Sequence, residues 1–477
     1  MKITFSEESI WNAGRLALMC GGRLQDTSLE SLPVRGLCTD SREADADTAF
    51  VAMRGERVDG HDYIASALQN GCRCILCEQS CEAIEKSRAA AVVVGDSELS
   101  LSRLANAYRK TLSMQTVAVT GSVGKTTTKE MIYSVLNEAL RVHKSDGNYN
   151  SVIGMPLSLM EADSRTEVAV LEMGMSAFGE IERMSITAEP EIAVITNIGS
   201  SHMEMLGSRE NICRAKLEIL CGLADGGTLI LNGDEPLLAG IGGKSYHTQY
   251  VSLVRQNADF FAQNIRVYPE KTVFDAVYGG HTERDLTIRV MGRHNVYAAL
   301  YAFAVGIRLG VSPDRIRAGL LKFEPTGMRQ NRYAVGEITV IEDCYNASPE
   351  SMIAAIDVLK LCGERAGGRC IAVLGDMLEL GEGSSAAHRS VGMHLARCGI
   401  DKLLVLGHEA QQIATGAMQC GMRQTDIVRE SELDSAERLG SALAALVRAG
   451  DTVLFKASRS VRMERVLNYL KEHPIGS

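Results

Sequence analysis

One segment limits the possible folds of this chain more than any other: Thr116-Val117-Ala118-Val119-Thr120-Gly121-Ser122-Val123-Gly124-Lys125-Thr126-Thr127. An apolar, β-rich run breaks at two glycines and resumes as a helix-forming stretch, the strand–turn–helix setting of a phosphate-binding loop. Glycines admit positive φ and let backbone N–H groups approach phosphate oxygens, and the helix N-terminus adds the positive end of its dipole. Lys125 would reach the β- and γ-phosphates, and the Thr126 hydroxyl would ligate Mg²⁺. Gly121, Ser122, Val123, Gly124, Lys125, Thr126 and Thr127 are therefore candidate nucleotide-binding residues. The usual G-x-x-x-x-G-K-[ST] spacing would put the first glycine at position 119, but Val119 stands there and the glycine comes at 121, so the loop is short. The plain alternative is an ordinary glycine-rich strand–helix turn.

Such a loop belongs to α/β architecture, and the rest of the chain repeats its pattern. Nearly continuous apolar runs end at Thr120, Glu172 and Asn197, and Gly227–Asn232 adds another; runs of this kind are buried on both faces of parallel sheets. Residues 250–290 alternate more and read as antiparallel strands, followed by an Ala-rich helix from Asn295 to Leu309. Pro325-Thr326-Gly327 reads as a hinge. Beyond it strands are expected at 338–343, 370–375, 402–406 and 452–456, each followed by a helix. Ahead of the loop, Thr48–Met53 and Ala91–Val94 read as strands around a helix from Tyr63 to Asn70, and a helix Leu101–Thr111 bridges to the strand before the loop. The length of 477 residues accommodates about three domains at roughly 100–200 residues each. The expected division is a small α/β domain (1–99), a central, mostly parallel P-loop domain (100–324) and a Rossmann-like α/β domain (325–477).

Composition removes other classes. Lys+Arg number 50 against 59 Asp+Glu, a net charge of -9 with no basic tract, which argues against a nucleic-acid partner. No apolar run approaches the roughly 18 residues of a membrane span. The start, Met1 to Glu8, reaches acidic residues before any apolar run, unlike a signal peptide. Thirteen cysteines, an odd number over a long chain, do not make a disulfide framework. The expected compartment is the reducing cytoplasm. Cys72, Cys74, Cys77 and Cys81 crowd together as thiols that can hold metal, but Cys74–Cys77 reads as a short buried strand. There Cys72 and Cys74 would share one face and Cys77 the other.

Three polar residues follow the loop where sheet topology gathers ligands. Glu172 ends a strand, and a strand-end carboxylate suits Mg²⁺. His202 follows the run ending at Asn197, and Lys216 sits in a later helix. Each has a plain alternative: a helix cap, a surface histidine, and a solvated helix face.

At these residues the chain resembles the Mur ligase family, ATP-dependent amide-forming enzymes of peptidoglycan synthesis. The segments Thr120–Thr127, Glu172-Met-Gly, Asn197–His202 and Gly292-Arg-His-Asn295 match it in order and spacing along nearly the whole chain. Asp343-Cys-Tyr-Asn346-Ala-Ser348-Pro-Glu-Ser-Met352 and Gly375-Asp-Met-Leu-Glu379-Leu-Gly381 resemble the branch that adds D-alanyl-D-alanine to UDP-N-acetylmuramoyl-tripeptide. The resemblance implies a UDP-sugar-binding first domain, with Ser41 and Arg42 on substrate. It implies Lys125, Glu172, His202 and Lys216 as catalytic residues, with Thr126, Glu172, His202 and Lys216 as the metal-holding set. It further implies a carbamate on Lys216, adenine or ATP contacts from Asn295, Arg329 and Asp343, and substrate contacts from Asn148, Asn150, Asn346 and Ser348. Lys456 and Arg459 would bind the acceptor's carboxylate or the tripeptide, with a solvated strand end as the alternative. Asn295 has an N-cap role as its alternative. Ser151 stands where relatives often carry a second asparagine. The implied reaction runs through an acyl phosphate, on a monomer. Two other readings remain: a ligase like folylpolyglutamate synthase, which needs no UDP-sugar domain, and a nucleotide-dependent switch.

Overall fold

The computed structural model describes residues 1–5, 11–55, 58–243 and 245–473; Glu7 and Glu8 of the acidic N-terminal stretch lie outside them. Among these residues the chain forms three sheets in succession, of six, nine and six strands.

In the first sheet, Gly36–Cys38, Thr48–Val51, Cys74–Cys77 and Ala90–Val93 run parallel. Lys2–Thr4 and Arg23–Leu24 close its two edges antiparallel. These edge strands are two or three residues long, too short to give a readable alternation. The cysteine cluster is all free thiols, and Cys72, Cys74 and Cys77 are buried. Their facing differs from expectation. Cys74 packs with Leu76 on one side of the sheet, while Cys72 and Cys77 pack with Ile75 and Ile64 on the other. The strand begins only at Cys74, and Gly71 turns the chain at φ +94°, so the period-two rule does not extend back to Cys72.

The helix Ser97–Arg109 leads out of this sheet. Asp96 caps it by accepting from the Leu99 N–H at 2.7 Å, which starts it four residues before the expected Leu101.

The central sheet places Gln115–Thr120 between Val168–Glu172 and Ile192–Ile195, all parallel. Both its faces are covered. Ala118, Leu171, Ala193 and Leu229 pack on one side, and Val117, Val119, Val170, Val194 and Ile230 on the other, which accounts for the unbroken apolar runs. Helices Lys125–Leu136 and Asn295–Arg308 lie against the second side. The run expected to end at Asn197 stops as a strand at Ile195, because Asn197 turns its polar groups onto the glycine loop. His247–Ser252, expected antiparallel, joins the sheet parallel to Thr228–Asn232; residues 233–246 are long enough for the crossover this requires. The antiparallel meander is confined to Phe260–Tyr268, Lys271–Tyr278 and His281–Ile288.

The third sheet sets Ile338–Glu342, Thr452–Lys456, Cys370–Gly375, Lys402–Leu406 and Ile427–Glu430 parallel, with Asn331–Val335 antiparallel at one edge. The edge strands Asn331–Val335 and Ile427–Glu430 have no fully buried residue, so their sequences lack the apolar signal that marks the inner strands. Gly327 in the expected hinge has φ +65°. No helix of the described residues is long and apolar enough to cross a membrane.

Candidate active site

The carboxyl ends of the central parallel strands open into a cavity of about 550 Å³, whose far wall comes from residues 325–351 and Lys456. The glycine loop forms its floor. Gly121 sits at φ +149°, and a Cβ there would lie 1.9 Å from the Thr196 hydroxyl, so only glycine fits this crossing of loop and strand. Gly124, at φ +82°, starts the helix Lys125–Leu136. Asn197 fixes the loop by accepting from the Ser122 N–H through its backbone oxygen (3.1 Å) and from the Val123 N–H through Oδ1 (2.9 Å). The Lys125 ammonium folds back onto the carbonyl oxygens of Gly121 (2.9 Å) and Ser122 (3.4 Å). Burial in the cleft lowers its pKa; Glu172 and Glu379 oppose that, and Arg329 adds to it.

Glu172 is 2% exposed and held on three sides. The Thr126 hydroxyl donates to Oε2 and the Asn150 amide to Oε1, both at 2.8 Å, and the Lys129 ammonium lies 4.0 Å from Oε2. Lys129 is itself buried against Glu130 at 3.1 Å and donates to the Ser145 carbonyl at 2.5 Å. Ser145 in turn accepts from the Glu172 N–H at 3.0 Å. The Glu172 carboxylate thus faces the loop with its rotamer fixed.

His202 lines the same cavity at φ +65°, and its Nδ1 lies 2.6 Å from Oε2 of Glu379, with the oxygen out of line for a good hydrogen bond. Glu379 is also left-handed, at φ +63°, and its carbonyl accepts from the Glu204 N–H at 3.1 Å. Glu350 accepts from the Ser200 N–H (3.1 Å) and hydroxyl (2.8 Å). These contacts tie the loop 199–204 to the third sheet's loops. Glu379 and Glu350 both lie in motifs quoted from the sequence, but nothing in sequence alone reveals that they meet this loop.

Lys216 is buried, at 1% exposure, on the helix Arg209–Leu217, which excludes the solvated helix face. It does not line the cavity. Among the described residues its ammonium has no hydrogen-bond acceptor or carboxylate partner. Burial and the nearby Lys125 charge push its pKa well below the ordinary lysine value.

Asn295 opens the helix Asn295–Arg308 and lines the cavity, but it is not an N-cap. Its amide donates to the Met291 carbonyl (2.8 Å) and to Oε1 of Gln330 (3.0 Å). Gln330 also meets Nε2 of His294 at 2.8 Å, and burial drops the His294 pKa to about 4. On the opposite wall the Arg329 guanidinium stacks 3.9 Å over the Tyr345 ring. Asp343, Asn346 and Ser348 also line that wall, and Ser348 caps the helix Pro349–Ala366 in a reciprocal box with Ser351.

Several expected positions differ. Lys456 lines the cavity but is 2% exposed and pairs with Asp343 at 2.6 Å, so it is neither a solvated strand end nor an uncompensated cation for a substrate carboxylate. Arg459 is outside the lining and pairs with Glu464 at 2.8 Å. Asn148 also lies outside it; Ser41 and Arg42, expected on the UDP-sugar in the first domain, lie outside this cavity too, and the exposed Arg42 guanidinium pairs with Asp40 at 2.5 Å. Asn150 lines the cavity, yet its amide is committed to Glu172. Ser151 uses its hydroxyl to accept from the Gly154 N–H at 3.1 Å, a task within reach of a single oxygen.

Three family descriptions match the chain in order: the Mur ligase family catalytic domain over residues 33–109, the Mur ligase middle domain over 119–306, and the Mur ligase glutamate ligase domain over 328–459. The UDP-N-acetylmuramoyl-tripeptide--D-alanyl-D-alanine ligase of Bacillus subtilis is 38% identical over 461 residues, covering 96% of this chain and 98% of that protein. The chain belongs to the Mur ligase family. The Escherichia coli ligase of the same description is 32% identical over 467 residues, again with 96% and 98% coverage. Among solved Mur ligase structures, MurF from Acinetobacter baumannii superposes with a TM-score of 0.87 at 30% identity, covering 98% of this chain and all of that one. MurF from Thermotoga maritima in complex with ADP gives 0.80 at 30% identity, with 93% and 98% coverage. A Mycobacterium tuberculosis folylpolyglutamate synthase reaches 0.60 at 16% identity over 78% of this chain, a likeness of fold alone.

Proposed function

We propose that this chain joins D-alanyl-D-alanine to the carboxyl end of UDP-N-acetylmuramoyl-tripeptide with cleavage of ATP, giving the pentapeptide precursor of peptidoglycan. One observation carries the reading beyond likeness. A phosphate loop, a fixed carboxylate and a histidine share one cavity with Arg329 and Asp343 of the third sheet, the layout needed to activate a carboxylate beside a triphosphate. The residues present suit Mg²⁺. Thr126 and Glu172 offer hard oxygens 2.8 Å apart, and the one cation beside the carboxylate, Lys129, lies 4.0 Å off and is held by Glu130 and the Ser145 carbonyl. Mg²⁺ bound by Thr126 and Glu172, with His202 available to a second ion, would supply positive charge between two anions.

The chain's own residues do the rest. The loop N–H groups and the helix N-terminus hold the phosphates. Lys125 exchanges its carbonyl partners, Gly121 and Ser122, for phosphate oxygens, which are stronger acceptors. The substrate carboxylate attacks the γ-phosphorus, the bond to the β-phosphate oxygen breaks, and ADP leaves. The dipeptide amine then attacks the acyl carbon, and phosphate departs from the tetrahedral intermediate, carrying off the proton the amine loses. Asn295 and Gln330 shape the nucleotide end of the cavity, and Arg329 is placed to meet phosphate charge. The contacts of Glu350 and Glu379 hold the third sheet's loops over the site and exclude water that would hydrolyse the acyl phosphate. The proposed division of labour is residues 1–99 for the UDP-sugar, 100–324 for ATP and 325–477 for closure and acceptor, on a monomer in the cytoplasm.

Lys216 is proposed to carry a carbamate. A buried amine with a lowered pKa keeps its lone pair, and that lone pair adds to CO₂ with loss of one proton. The product is a carboxylate-like group where the native side chain has no partner. Loss of activity in Lys216→Ala that millimolar short-chain carboxylates fail to restore would count against it.

The activity is tested by phosphate release with UDP-muramoyl tripeptides carrying meso-diaminopimelate or L-lysine, with and without D-alanyl-D-alanine. Release that requires both tripeptide and dipeptide supports the proposal. Equal release without them favours a nucleotide-dependent switch, and dependence on folate and glutamate favours the folate enzymes.

A further inference from the structure

Away from the cavity, two helices of the third sheet's layer bring three metal-ligating side chains together. Asp357 lies on Pro349–Ala366, His394 lies on Ser384–Arg397, and Cys398 closes that second helix. His394 and Cys398 are four residues apart and so share one helical face. Nε2 of His394 is 2.7 Å from Oδ1 of Asp357 and 3.3 Å from Sγ of Cys398, and Sγ is 3.8 Å from the same Oδ1. From the geometry of these three donors we infer a binding site for one borderline-soft divalent cation, Zn²⁺ foremost, that braces the two helices.

The distances support this quantitatively. With Zn–S about 2.3 Å and Zn–N or Zn–O about 2.0–2.1 Å, a tetrahedral ion sets its ligands apart by about 3.5 Å for sulfur to nitrogen or oxygen and about 3.3 Å for nitrogen to oxygen. The two sulfur separations of 3.3 and 3.8 Å bracket that edge. Only the Asp357–His394 hydrogen bond must open, by about 0.6 Å, and the Asp357 side chain, 58% exposed, is free to turn. The open side leaves the fourth position to water. Charge also balances. The ion takes the place of the thiol proton, which is released to solvent, so a dication meets one carboxylate, one thiolate and a neutral imidazole. Lys360, the nearby cation, is engaged with Glu364 at 3.5 Å. The donor set differs from the hard-oxygen pair Thr126–Glu172, so Mg²⁺ does not compete. Pro349–Ala366 begins at the cavity wall with Ser348 and Glu350, so the brace would stiffen the helix that presents them.

The test is anaerobic titration of the reduced full-length protein with Co²⁺ in excess Mg²⁺. One equivalent should give a thiolate-to-metal charge-transfer band and tetrahedral visible bands, both displaced by Zn²⁺. Cys398→Ser should abolish the charge-transfer band, and His394→Ala should weaken binding by about tenfold or more, while Cys221→Ser changes neither. In the unsubstituted protein, stoichiometric Zn²⁺ should protect Cys398 from iodoacetamide while exposed Cys221 remains labelled, a readout independent of whether the variants fold. No band in the folded protein, a band that survives in Cys398→Ser, unchanged affinity in His394→Ala, or unprotected Cys398 would each overturn the site.

Discussion

Replacing Lys216 with methionine should make the protein more stable and inactive at once. The native side chain is 1% exposed, and its amine has neither acceptor nor carboxylate among the described residues. Burying a polar group without a partner costs about 1–3 kcal/mol in proteins, and methionine fills nearly the same volume without that group. The expected gain is therefore about 1–3 kcal/mol, or roughly 2–4 °C in melting temperature per kcal/mol for a unit of 150–250 residues. The pH dependence has a definite sign. Because the folded pKa lies below the unfolded value, the unfolded chain binds more protons between the two, and the native protein gains stability as pH rises through that window. The advantage of Lys216→Met should thus be largest near neutral pH and should shrink toward pH ~10, close to the unfolded lysine value. Calorimetry in CO₂-depleted buffer over this range measures it, which keeps the proposed carbamate from forming on the native lysine. A methionine variant that melts lower than the native protein at pH 7, or whose advantage grows with pH, would show that the buried amine is not a stability cost.

Asn150→Ala removes one of the two hydrogen bonds on the Glu172 carboxylate; bonds to charged groups contribute about 1.5–3 kcal/mol, so kcat/KM should fall by roughly 10- to 150-fold. Gly121→Ala should abolish nucleotide binding in an ADP titration, because its Cβ would lie 1.9 Å from the Thr196 hydroxyl and force the loop off its strand. Lys456→Met leaves Asp343 without its partner beside the cavity, and unfolding by urea should show a loss of about 3–5 kcal/mol. If Lys456 instead served mainly as an acceptor-binding cation, stability would hold and only the KM for dipeptide would rise.

Sequence carried the site's inner half and lost much of its outer half, for physical reasons. The glycine loop was legible because positive φ, close backbone approach and a following helix leave few residue choices, and Gly121 and Gly124 have the backbone angles this requires. The inner strands were legible because both faces are buried, whereas Arg23–Leu24 and Asn331–Val335 are short or half-exposed edges without an apolar pattern. A strand-end lysine such as Lys456 reads as open to a substrate carboxylate or to solvent until its long-range partner Asp343, 113 residues away, is known. Glu379 meeting His202, and Gln330 meeting Asn295, are likewise contacts between distant segments that no local spacing encodes. The commitment of the Asn150 amide to Glu172 likewise depends on a strand 22 residues on, which its own segment does not encode.

In the proposed reaction the tripeptide carboxylate itself attacks the γ-phosphate. Turnover with that carboxyl group labelled with ¹⁸O should deliver one labelled oxygen to each inorganic phosphate, read by mass spectrometry, in the presence of ATP and D-alanyl-D-alanine. Phosphate whose new oxygen comes from solvent, with the label left in the peptide, would exclude an acyl phosphate.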